Sequence, residues 1–164
     1  MAVDVCKLLG NLLLFAFKQV ERDNLSRAML AQILYNKEGK PNVAGNNVFT
    51  DVAPGEWYSN AITWAAANNI VGGYGSGLFG PNDNITREQL AVMLWRYAGE
   101  PTAISRELHF SDAKEVSGYA VSAINWAVEN GVINGKGDNI LDPKGFATRA
   151  QVAQMLKNYL ATKI

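Results

Sequence analysis

The chain has 164 residues, with 15 lysines and arginines against 15 aspartates and glutamates. It is long enough to bury a core but lacks the basic excess that a nucleic-acid partner demands. Hydrophobic residues make up 48% and charged residues 18%, which excludes a disordered chain. A single cysteine, Cys6, rules out an intramolecular disulfide and a multi-cysteine metal site.

In chain order, Leu8 to Phe17 is the first marked segment. It is apolar but about half the ~20 residues that a membrane span needs. Asp4 ahead of it, and the lack of a small-x-small site after Phe17, speak against a signal peptide. The segment reads as buried, and no convincing export signal is expected. Ser26-Arg27-Ala28-Met29-Leu30-Ala31 opens a helix, and Gly39 to Asn47 reads as a link. A helix is predicted from Trp57 to Asn68, apolar at 57, 61, 62 and 65. After a glycine-rich loop, Thr86 opens another helix with Leu90, Ala91, Leu94 and Tyr97 on one face. Gly99 to Ser105 forms a second link. The same pair follows again, from Ala120 to Asn130 and from Thr148 onward.

The recurrence is in register. Phe49-Thr50-Asp51 returns as Phe110-Ser111-Asp112, an offset of 61. Ala61-Ile62-Thr63-Trp64-Ala65 returns as Ala123-Ile124-Asn125-Trp126-Ala127, and Ile70-Val71-Gly72-Gly73 as Val132-Ile133-Asn134-Gly135, both offset by 62. Thr86-Arg87-Glu88-Gln89 matches Thr148-Arg149-Ala150-Gln151 in the same register. A partial copy lies in front, where Ser26 to Ala31 matches Thr86 to Ala91 and Ala2 to Cys6 matches Ala123 to Ala127. Its opening Phe-x-Asp block is missing. We therefore read a truncated first repeat over 1–41, a second over 42–101 and a third over 102–164. One helix pair cannot bury its own apolar face, so the repeats must pack on one another.

Thr86 with Gln89, and Thr148 with Gln151, have the form of a capping box. Capping does not account for Arg27, Arg87 and Arg149, which fill the first helical position, where the helix dipole disfavours a cation. A guanidinium fork beside free helix-end amides makes an anion site. Packing or an inter-repeat salt bridge is the plainer alternative.

These blocks resemble the S-layer homology family. Phe49-x-Asp51-Val52, Trp57-Tyr58, Ala61-Ile62, Gly72-Gly73, Phe79-x-Pro81 and Ile85-Thr86-Arg87-Glu88-Gln89 carry the resemblance in the second repeat. Phe110-x-Asp112, Tyr119, Ala123-Ile124, Gly135, Asp142-Pro143 and Thr148-Arg149-Ala150-Gln151 carry it in the third. The resemblance implies an all-α, pseudo-threefold, three-pronged bundle of tandem helix–loop–helix repeats. It further implies a non-catalytic, secreted module at the bacterial cell surface. Such modules bind a secondary cell-wall polysaccharide, attached to peptidoglycan and often pyruvylated, in grooves between repeats. Carried over, the glycan-binding residues are Arg87, Arg149 and, more weakly, Arg27 for the acidic sugar. The turns Gly72, Gly73, Asn134 and Gly135 would supply backbone amides, and Trp57 a stacking face. The groove between repeats two and three is the favoured seat, because repeat one lacks its opening block. No cofactor, metal or catalytic residue is implied. A protein–protein or self-association module, with Trp95 at an interface, is the alternative; otherwise a monomer is expected.

Other signals are weaker. Gly75-Ser-Gly77-Leu-Phe-Gly80 has the dinucleotide-binding spacing but lacks the surrounding strand and helix. Asn82-Asp83-Asn84 and Asp138-Asn139 lack EF-hand spacing and read as turns. Asp51 with Glu56 would be the carboxylate pair of a glycan hydrolase, but Asp51 recurs as Asp112 while Glu56 does not recur, and a lone recurring aspartate is more often a cap. His109, beside Phe110, reads as a structural or surface residue rather than a triad base.

Overall fold

The computed structural model describes residues 23–43, 45–104 and 107–162. The apolar stretch from Leu8 to Phe17 and the matched segment from Ala2 to Cys6 lie outside the described residues. Among those described, the structure is helical, with isolated β-bridges but no strand.

Five α-helices are present: α1 (Arg27–Lys37), α2 (Ser59–Ala67), α3 (Arg87–Tyr97), α4 (Val121–Glu129) and α5 (Arg149–Ala161). Short 3₁₀ turns at Ala113–Glu115 and Gly118–Ala120 lead into α4. The starts of α1, α3 and α5 follow from the capping residues. Thr86 Oγ1 accepts from the Gln89 amide while the Gln89 side chain accepts from the Thr86 amide, and Thr148 with Gln151 does the same. Ser26 caps α1 through the Met29 amide.

The helices that pack most closely are not the two within one repeat. α1 packs on α2, and α3 on α4, so the second helix of each repeat pairs with the first helix of the next. Ala28, Ala31 and Leu34 of α1, with Ala61, Ile62 and Ala65 of α2, are fully buried. Small residues on both helices let them approach closely, and the larger Ile62 and Leu34 fill the remaining space.

The three segments ahead of α1, α3 and α5 meet in a closed ring of main-chain hydrogen bonds. Leu25 N–H donates to Ala147 O at 3.0 Å, Ala147 N–H to Ile85 O at 2.9 Å, and Ile85 N–H to Leu25 O at 2.8 Å. Leu25, Ile85 and Ala147 are buried at this centre. A second tier surrounds the ring, with Arg27, Arg87 and Arg149 amides donating to the carbonyls of Asp83, Gly145 and Asp23. These amides are among the donors a helix start leaves without an intrahelical partner. Here the neighbouring repeat satisfies them, which gives the bundle its threefold arrangement.

Asp51 and Asp112 do not cap the helices that follow them. Asp51 Oδ1 and Oδ2 accept from the amides of Phe79 and Gly80 at 2.8 and 2.7 Å. Asp112 accepts from Leu141 and Asp142 at 2.9 and 2.7 Å. Each carboxylate ties the entry of its repeat to the turn that precedes the second helix. Trp95 also has an internal role: it is half-buried, and its Nε1 donates to Pro101 O at 2.9 Å. Tyr35 holds Pro41 O in the same way at 2.9 Å. These aromatics clamp the links between repeats.

Burial would raise the pKa of Asp51 and of Asp112, but the paired amides outweigh it and hold both below the ordinary value of 3.8. Folding therefore weakens proton binding at these groups. Their stabilisation is complete above the ordinary range and is lost as pH falls below 3.8 through the folded value. Asp112→Asn should lower stability at pH 7 by about 1.5 kcal/mol, the low end for a hydrogen bond to a charged group, since the site is only half-buried. It should also shallow the acid limb of a urea-midpoint profile between pH 5 and pH 2 (about the range over which such carboxylates titrate). An unchanged acid limb would contradict this role.

Candidate functional site

The arginines at the helix starts lie across the seams between repeats. Arg27, at the start of α1, extends its side chain into the second repeat. Its Nε donates to Phe79 O at 2.8 Å and its Nη2 to Gly72 O at 3.0 Å. Arg87 repeats the arrangement one seam later, with Nε donating to Leu141 O and Nη2 to Asn134 O, both at 2.8 Å. Both residues are buried, at 5% and 3% exposure. Burial lowers the pKa of each guanidinium, opposed by Tyr74 and Asp83 around Arg27 and by Asp142 and Asp112 around Arg87. A guanidinium keeps its charge against such burial.

Phe79 is held from both sides, its N–H by Asp51 and its C=O by Arg27. Leu141 is held likewise by Asp112 and Arg87. The Phe-x-Asp block of one repeat and the Ser-Arg or Thr-Arg block of the repeat before it thus grip one residue of the turn. This explains why both blocks recur. The third arginine is placed differently. Among the described residues Arg149 Nε is buried with no hydrogen-bond partner, and Nη2 lies 4.0 Å from Met29 Sδ.

The arginine contacts also orient the exposed turns. A trans peptide directs its N–H opposite to its C=O. With Gly72 O and Asn134 O turned to the guanidinium groups, the N–H groups of Gly73 and Gly135 point away from them. Gly72, Gly73, Asn134 and Gly135 are all exposed. A glycine is required at the second position of each turn. A Cβ at Gly73 would lie 2.4 Å from Leu78 O and 2.9 Å from Phe49 Cε1. At Gly135 it would lie 2.9 Å from both Ile140 O and Phe110 Cε1. The aromatic of the Phe-x-Asp block is packed against the turn, and no side chain fits between.

Aromatic residues stand beside both seams. Trp57 lies just outside α2 and is 56% exposed, while the neighbouring Tyr58 turns inward. Its ring meets Tyr58 edge-on, with centroids 5.1 Å apart. The periodicity had placed Trp57 on the buried face; one of two adjacent aromatics must face outward, and Tyr58 takes the inner place. Tyr119 occupies the corresponding position ahead of α4 and is 59% exposed. Tyr74 covers Arg27, whose Cζ lies 4.6 Å from the centroids of both Tyr74 and Phe79.

At the second seam, Glu88 was not singled out by the sequence as a site residue. It is 3% exposed. Its carboxylate accepts from Ser117 N at 3.0 Å, Ser117 Oγ at 2.9 Å, Tyr119 Oη at 3.0 Å and Lys144 Nζ at 2.7 Å. Burial would raise its pKa, but Lys144 and Ser117 lower it further, and the group stays ionised. The signal for it was its oddness, since Ala28 and Ala150 fill that place in the other repeats.

The other motifs resolve into turns. Gly75, Gly77 and Gly80 adopt φ of 88°, 77° and 72°, in a turn held by Tyr74 N donating to Leu78 O. Asp51 spends both carboxylate oxygens on main-chain amides, so it is no candidate for proton transfer with Glu56. His109 is exposed. Among the described residues no helix is long and apolar enough to cross a membrane.

Gly73→Ala should destabilise the fold by about 1–3 kcal/mol, the usual range for an added methyl in a filled site. Gly72→Ala should leave stability within about 0.5 kcal/mol, because its Cβ would meet only the flexible end of Arg96, 3.3 Å away. Urea melts of the two variants test this contrast, and equal midpoints would contradict the packing described.

Comparison with known proteins identifies the family of the repeats. The S-layer homology domain model matches residues 48–91 and 109–153, together more than half of the chain. An exoglucanase, XynX, of Acetivibrio thermocellus is 36% identical over 137 residues, covering 81% of this chain and 12% of that protein. S-layer protein EA1 of Bacillus anthracis is 29% identical over 142 residues, covering 86% of this chain and 16% of that protein. A cellulosome-anchoring protein of Acetivibrio thermocellus is 28% identical over 144 residues, covering 84% of this chain and 32% of that protein. The chain therefore spans a third or less of the length of these relatives, which otherwise differ widely in what they are named for. What they share with it is the helical repeat, and this chain belongs to the S-layer homology domain family.

Proposed function

We propose that this chain is a non-catalytic anchoring module of a bacterial cell-surface protein. It binds an acidic, pyruvylated secondary cell-wall polysaccharide, attached to peptidoglycan, in the grooves between its repeats. The relatives support anchoring as the shared role, since the repeat accompanies exoglucanase, S-layer and cellulosome-anchoring proteins alike. The module carries the attachment, and any cargo activity resides elsewhere in such proteins.

The observation that carries the reading is the oriented turn at each seam. A buried guanidinium holds one face of the Gly72–Gly73 or Asn134–Gly135 peptide, and the N–H on the other face is directed outward at an exposed turn. A carboxylate on a pyruvyl ketal would accept from this N–H, in the positive field of Arg27 or Arg87 beneath it. Each guanidinium has five N–H groups, of which two go to main-chain carbonyls. Arg149 adds a buried Nε with no partner among the described residues. Trp57 supplies an exposed ring face on which a sugar would stack. In this reading the module works as a monomer outside the cell, with no cofactor or metal.

Co-sedimentation with purified wall sacculi tests it. The wild-type chain should pellet with intact sacculi and stay in solution once mild acid has removed their secondary polymer. Trp57→Ala should fold normally yet bind about tenfold more weakly, in keeping with one lost aromatic contact of about 1.4 kcal/mol. Equal sedimentation with intact and stripped walls, or none with either, would overturn the proposal.

A further inference from the structure

The two described seams are not equivalent. At the second seam the polar groups are consumed internally. Glu88 takes the donors of Ser117, Tyr119 and Lys144, and Lys136 is paired with Asp142 at 2.6 Å. At the first seam the corresponding places hold Ala28, Trp57, Asn82 and Tyr74, so no buried carboxylate gathers them, and Tyr74 is instead hydrogen-bonded to Asp83 and Gln89. Trp57 and Tyr74 remain 56% and 53% exposed.

A hollow of about 500 Å³ adjoins the first seam, lined by Lys37, Trp64, Asn68, Arg96 and Tyr97 among others. This lies within the roughly 300–1,000 Å³ range of small-ligand sites. It draws its walls from both repeats. It also shares the Gly72 turn with the arginine groove, because Arg96 Nη1 lies 3.3 Å from the place of a Gly72 Cβ, while Arg27 holds Gly72 O. The lining is of mixed sign. Lys37 is paired with Glu38 at 3.3 Å and donates to Tyr97 Oη at 2.8 Å, and Arg96 lies 3.9 Å from Glu100. Balanced charges of this kind suit hydroxyl and amide groups, which both donate and accept, better than a second anion. At the second seam Arg96 is replaced by Asn158, which donates to Val132 O at 3.4 Å, and Tyr97 by the fully buried Tyr159.

We propose that the seam between the first and second repeats is an extended polymer seat. It takes the acidic sugar at the Gly72–Gly73 turn and a neighbouring neutral, hydroxyl-rich sugar in the hollow beyond Arg96. The second seam keeps its oriented turn but has Asn158 and the buried Tyr159 where the hollow has Arg96 and Tyr97, so it seats the acidic sugar alone. The longer seat thus lies between repeats one and two, whereas the sequence favoured the groove between repeats two and three. It rests on the anchoring reading above, and adds to it a place and a ligand length.

The test compares two probes by titration calorimetry: the extracted secondary polymer, and a methyl hexoside bearing a pyruvyl ketal. Arg96→Ala should weaken polymer binding about tenfold while leaving the single-sugar probe and the melting midpoint unchanged. Asn158→Ala, at the matching place of the second seam, should change neither. In ¹H–¹⁵N spectra the Trp64 indole signal should shift with polymer but not with the single sugar. Polymer binding that survives Arg96→Ala, or that falls equally with Asn158→Ala, would overturn the extended seat while leaving anchoring intact. A wild-type chain that binds neither probe would overturn both.

Discussion

Three main-chain hydrogen bonds, running from Leu25 to Ala147, from Ala147 to Ile85 and from Ile85 to Leu25, close the centre of this molecule. No single repeat can make this ring, because every donor finds its acceptor in a different repeat. It also sets the position of the three capped helix starts, which leave the ring side by side. Their unpaired amides then bond to the neighbouring repeat rather than to water. Arg27 and Arg87, at the first helical positions, follow from the same geometry. A cation there is unfavourable for the helix dipole by about 0.3–1 kcal/mol, but it lies where a long side chain can reach two carbonyls of the next repeat.

The seams are therefore built as grips on a turn. Asp51 and Arg27 hold the two sides of Phe79, and Asp112 and Arg87 hold the two sides of Leu141. In the proposed function, structure and recognition would be joined in this device. The same guanidinium that ties repeats together fixes the peptide plane of an exposed turn, and the packed Phe49 or Phe110 ring requires that turn to carry a glycine. The proposed binding surface is thus held by the repeat interface itself, and little ordering would be needed for a glycan to bind there.

Much of this was legible from residues alone. The recurring blocks, the capping boxes at Thr86 and Thr148, and the helical spacing gave the helix starts to within a few residues. The roles of the recurring polar residues were harder to read. Asp51 looked like a helix cap, because a sequence shows a nearby helix but not a turn 28 residues later whose amides donate to the carboxylate. Trp95 looked like an interface residue, yet its indole closes a link over Pro101. Glu88 showed only as a departure from its counterparts. Its partners Ser117 and Lys144 are 29 and 56 positions away and converge only in the fold. The pairing of α1 with α2 across a repeat boundary was equally hidden, because periodicity shows an apolar face but not what covers it.

Native-state amide exchange of the ring residues tests most directly whether this interlocked ring holds the repeats as one unit. The amides of Leu25, Ile85 and Ala147 should exchange at the same slow rate, that of global unfolding, and should respond identically to added urea. Exchange of Leu25 about a hundredfold faster than that of Ile85 would contradict the account, because it would mean that the first repeat opens from the bundle on its own.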